Sequence, residues 1–84
     1  IILYLSGMTK EEILQIAEDY QKTVQQRLDE LLEADSNMYT NLGTDSTKAE
    51  KENVRKSSRA IYRAIRDNID ENIGKELLQH QDGY

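Results

Sequence analysis

TKEEILQIAEDYQKTVQQRLDELLEA, residues 9–34, sets the fold class of this chain. Ile13, Ala17, Tyr20, Val24, Leu28 and Leu31 recur at intervals of three or four, the period that gathers side chains on one face of an α-helix, and Leu14, Ile16 and Leu32 widen the stripe. The stretch opens on Thr9-Lys10-Glu11-Glu12, a capping box in which the threonine hydroxyl accepts the Glu12 N–H and the Glu12 carboxylate accepts the Thr9 N–H. Met8 and Ile13 stand at the positions of a hydrophobic staple, and two carboxylates in the first turn suit the positive end of the helix dipole. A helix over about residues 9–34 is therefore expected.

Working outward, residues 35–46 read DSNMYTNLGTDS, rich in side chains that compete with backbone hydrogen bonds, and are expected to be the connection. Met38, Tyr39 and Leu42 are apolar enough to fold over the end of a helix pair, and Gly43 is the expected left-handed position. Thr47-Lys48-Ala49-Glu50 repeats the capping-box pattern. Val54, Ser58, Ile61, Ile65, Ile69, Ile73 and Leu77 then carry a second helical stripe, which predicts a helix over about 47–79 and a frayed tail over 80–84. Gly74 costs about 1 kcal/mol relative to alanine inside a helix, so residues 72–74 are read as the place for a kink or for early fraying. Residues 1–7, IILYLSG, differ from the rest. Leu3, Tyr4 and Gly7 resemble the linker of protease-cleavable tags while Leu5 and Ser6 depart from it, so the segment reads either as tag-derived or as an apolar arm.

The expected architecture is all-α: a helical hairpin of two long amphipathic helices, roughly 40 and 50 Å long, in a single domain over 8–84. A lone hairpin of this kind leaves apolar edges wet, and pairing two of them as a twofold homodimer makes a four-helix bundle. The residues expected at that self-association surface are Leu14, Ile16, Val24, Leu28, Leu31, Ile61, Ala64, Ile65, Ile69 and Leu78. With 84 residues, no Trp, no Phe, no Pro and 37% hydrophobic residues, the core must be thin.

Charge is unevenly spread. The chain carries a net −5, yet residues 48–66 hold seven basic side chains against two acidic ones. Lys48, Lys51, Arg55, Arg59 and Arg66 fall on one stripe at helical spacing, with Tyr62 in line and Lys56 and Arg63 beside it. Three readings stay open. The stripe could pair with Asp29, Glu30, Glu33 and Asp35 of the first helix, which would fix helix orientation for ~0–1 kcal/mol per exposed pair. It could dock another protein, with Arg55, Arg59, Tyr62 and Arg63 as anchors. It could also bind RNA or single-stranded DNA, with cations on phosphates and Tyr62 stacked on a base.

Chemistry has little to work with. The chain has no cysteine and one histidine, His80, so neither a thiolate site nor an ordinary zinc site can be assembled. Glu11-Glu12 and Asp70-Glu71 point to different helix faces, and no phosphate-cradling glycine loop or nucleophile-base pair occurs. The expectation is a non-enzymatic interaction or regulatory module without metal or cofactor. No apolar run approaches the roughly 18–20 residues of a spanning helix, so a cytoplasmic protein without a membrane partner is expected.

Overall fold

The computed structural model describes residues 9–43 and 46–82. The readings of residues 1–7, of Met8 as half of a staple, and of the end of the tail lie outside these. Among the described residues the chain forms four α-helices and no strand: α1 (Lys10–Ala17), α2 (Val24–Thr40), α3 (Lys48–Asn68) and α4 (Glu71–Asp82). The all-α reading stands. The two long helices do not, because each expected rod is broken once.

The first break separates α1 from α2. Thr23 caps α2 with a capping box of its own: its Oγ1 accepts the Gln26 N–H at 3.1 Å, and Gln26 Oε1 accepts the Thr23 N–H at 2.9 Å. Ahead of it Asp19 Oδ1 accepts the Gln21 N–H at 3.3 Å, a side-chain turn that competes with helix. The end of α1 keeps a partner because Arg27, 6% exposed, reaches back and donates from Nη1 to the Ala17 carbonyl at 2.9 Å. Its guanidinium also lies 5.0 Å from the centre of the Tyr20 ring. The apolar spacing runs through this break unchanged, but Tyr20 is 70% and Val24 49% exposed while Ile13, Ala17, Leu28 and Leu31 are buried.

α2 runs six residues past the expected end at Ala34, because Asp35 and Met38 continue the inward series of Leu28 and Leu31. Ser36, Asn37 and Thr40 fall on the solvent face. The connection is thus shorter than expected. In it Gly43 donates its N–H to Ser46 Oγ at 2.8 Å and accepts the Ser46 N–H at 3.1 Å. Gly43 is not left-handed: none of the described glycines has positive φ.

The expected box at Thr47 and Glu50 is present and opens α3. The second break falls at Ile69 and Asp70, where both N–H groups donate to the Ile65 carbonyl, at 2.9 and 2.8 Å, the second in the wider six-residue closure with which a helix ends. Asp70 then restarts it: Oδ1 accepts the Ile73 N–H at 3.1 Å, the bond of an N-cap. Gly74 is not the kink. It is buried in the first half of α4, where a Cβ would overlap the Arg66 backbone, so it permits α4 to cross α3 at close approach. His80 and Gln81, expected in a tail, are helical.

A helical hairpin does occur, built from α3 and α4. Gly74 lies on Arg66, while Gln81 accepts from Arg59 Nε at 3.2 Å and donates to the Arg55 carbonyl at 3.3 Å, so the two helices run antiparallel. α3 packs against all three other helices, α1 also packs on α2, and α4 touches α3 alone. The core is one layer, Ile13, Ala17, Leu28, Leu31, Met38, Val54, Ile61, Ala64 and Ile65, with Ile73 and Leu77 of α4 leaning on it. The molecule is a slab of 37 × 33 × 17 Å.

Candidate interaction surface

The basic stripe of α3 is divided by the elements packed on it. At its centre Tyr62 is half-buried and donates its hydroxyl to Asp35 Oδ2 at 2.6 Å. Burial, and then this bond to a carboxylate, push the phenol up to about 12. Ser58 Oγ lies against the same phenol and opposes the shift, but neither it nor Asp35 Oδ1 meets a partner in good hydrogen-bond geometry. Tyr62 is therefore a strut between α2 and α3, with its polar end already occupied.

Toward the C-terminus of α3, Arg66 lies under Gly74 and its Nε pairs with Asp67 at 2.8 Å. The guanidinium holds the Asp67 carboxyl below its ordinary value, with a smaller contribution from the charge of Arg63. Arg59 is tied to Gln81 of α4. What remains is one cluster at the start of α3 and one cation near its end. Lys48, Lys51, Arg55 and Lys56 are exposed and have no ion-pair partner among the described residues, and the same holds for Arg63.

The expected pairing of this stripe with acidic residues of the first helix is absent for Lys48, Lys51, Arg55, Arg63 and Arg66. Glu30 instead accepts from Lys22 at 2.7 Å, and Asp29 from Gln25 at 2.9 Å. Among the described residues, Asp35 is the one of these four acids with a hydrogen bond to α3, and it meets a phenol there.

Two surface depressions involve the free cations. One, of about 350 Å³, is formed by Tyr39 at the end of α2, Leu42 in the connection, Lys51 and Arg55 on α3, and Gln81 on α4. The other, of about 280 Å³, lies between α1 and α3 and is lined by Lys10 and Leu14 of α1 and by Ala60, Arg63 and Ala64 of α3. Sequence reading did not include Tyr39, Leu42, Gln81 or Lys10 among the candidate site residues. Each lies on a different element from the stripe, so helical spacing alone carried no signal for them.

The ten residues expected at a self-association surface divide in two. Leu28, Leu31, Ile61, Ala64 and Ile65 are buried among the chain's own helices, while Leu14, Ile16, Ile69 and Leu78 are half-buried and Val24 is exposed. Among the described residues no group of His, Asp and Glu is gathered as a metal would require, and no helix is long and apolar enough to cross a membrane. No protein-family model, no curated protein and no solved structure matches the chain.

Proposed function

We propose that this chain is a small non-enzymatic interaction module that binds an acidic segment of a partner protein at the junction of α2, α3 and α4, and that also self-associates. One observation carries the reading. Lys51 and Arg55, one turn apart, stand exposed and without an ion-pair partner among the described residues, beside Tyr39, 45% exposed, and Leu42, in a depression that none of the described side chains fills. An aromatic and an aliphatic side chain between two cations suit a segment that offers one apolar side chain flanked by carboxylates.

Binding to RNA or single-stranded DNA is the weaker reading. A phosphate-tracking face needs a run of cations with an aromatic ring free to stack, whereas Tyr62 is bonded to Asp35 and Arg66 to Asp67. Self-association draws on the apolar residues that keep surface, Leu14, Ile16, Val24, Ile69 and Leu78. Since each copy already holds four helices, the dimer in this reading joins two such units rather than two rods into a four-helix bundle.

The test is capture from the source cell with wild-type protein and with Lys51→Glu, Arg55→Glu, followed by titration of the captured partner. The reading predicts loss of the partner from the variant and retention of wild-type binding at raised salt. Equal capture by both proteins, or binding of mixed RNA that collapses between about 50 and 200 mM salt, would contradict it.

A further inference from the structure

We infer that two copies of this chain pair around Leu14, through the outer edge of α1 and the groove between α1 and α3, in a twofold contact that sets the carboxylates of each copy against the cations of the other. The inference rests on the reading of the chain as self-associating and names the surface.

Leu14 of α1 is half-buried, and at 100° per residue the neighbours on its two sides differ in charge. Toward α3 lies Lys10, and beyond it the groove with Ala60, Arg63 and Ala64. Asp67 also lines this groove, but its carboxylate is held by Arg66 at 2.8 Å. Neither Lys10 nor Arg63 has an ion-pair partner among the described residues. On the other side of Leu14 are Glu11 and Glu18, which with Gln15 line a shallower depression of about 410 Å³. Leu14 belongs to both depressions.

The patch is therefore self-complementary, with a cationic inner half, an acidic outer half and a leucine between them. A twofold contact requires this property, since each half must meet the opposite half of an identical surface. An axis through Leu14 brings Glu11 and Glu18 of one copy over Lys10 and Arg63 of the other, twice, with the two leucines at the centre. Ala60 and Ala64, four residues apart, leave the α3 side of the groove without bulk, so an apolar side chain from outside can approach the helix closely. A second copy supplies the acidic and the basic half together, in the order the patch requires. The presence of both halves about one leucine points to a second copy.

Sedimentation equilibrium on the full chain over a concentration series tests this, using an acidic variant (Lys10→Glu, Arg63→Glu) and a basic variant (Glu11→Lys, Glu18→Lys). Each changes exposed positions, and far-UV circular dichroism verifies that each is folded. The wild type is expected to move from monomer to dimer mass. Each variant alone should dimerise about tenfold or more weakly through like-charge contact, and the equimolar mixture should recover the dimer as a heterodimer. A wild type that stays monomeric overturns both the surface and the self-association reading. A wild-type dimer whose variants dimerise equally well, or whose mixture recovers nothing, overturns the surface alone.

Discussion

Tyr62 keeps its proton past the point where an unfolded tyrosine loses it, because burial and then the Asp35 carboxylate disfavour the phenolate and push its ionisation up to about 12. Since the folded value lies above the unfolded one, this contribution to stability is whole below about pH 10 and is lost as the pH rises from there toward 12. Tyr62→Phe removes it and also leaves Asp35, 8% exposed, without its one hydrogen-bond donor among the described residues. Urea unfolding should show the variant less stable at neutral pH by about 1–3 kcal/mol. Its stability should also fall less steeply than the wild type's across the alkaline window. Parallel alkaline curves for the two proteins would show that this phenol carries no such linkage. Arg27 acts at the same scale: it lies off the apolar stripe, yet it is buried and donates to the Ala17 carbonyl at the end of α1.

Gly74 decides how α4 meets α3. Gly→Ala inside a helix ordinarily favours the helix by about 1 kcal/mol, but here the added methyl would overlap the Arg66 backbone, which cannot rotate away as a side chain can. Overpacking of this sort costs about 1–3 kcal/mol, so Gly74→Ala should lower the urea midpoint instead of raising it. A higher midpoint would mean that the crossing is looser than described. The same glycine shows what was legible in the sequence. Its weakness as a helix former was visible, its role as a contact point was not, because close approach depends on which helix folds back and where. The capping boxes divide in the same way. Those at Thr9 and Thr47 were read because each follows non-helical sequence, whereas Thr23-Val24-Gln25-Gln26, the same pattern, lies inside an apolar series whose period it does not disturb. Only the exposure of Tyr20 and Val24 betrays the break. Asp70 likewise lay hidden in a stripe that runs from Ile69 to Ile73.

At the scale of the molecule, the two breaks turn a pair of rods into a slab one core layer thick, in which α3 touches every other helix. α1, α2 and α4 all pack on α3, and among the described residues Lys48, Lys51 and Arg55 at the start of the basic stripe stay exposed without an ion-pair partner. Helical period and charge foretold the fold class and the presence of a basic helix. They could not foretell which cations would be covered, since that follows from where the chain reverses. The candidate surface thus combines Lys51 and Arg55, which were read from spacing, with Tyr39, Leu42 and Gln81, which only tertiary folding brings beside them. The break at residues 18–23 lays α1 on α3. The most direct measurement is a nuclear Overhauser spectrum of the isotope-labelled chain with backbone chemical shifts. Non-helical shifts over residues 19–22 and side-chain contacts from Ile13 and Leu14 to Ala60 and Ala64 are expected, whereas unbroken helical shifts from Lys10 to Thr40 with no such contacts would rule out this packing.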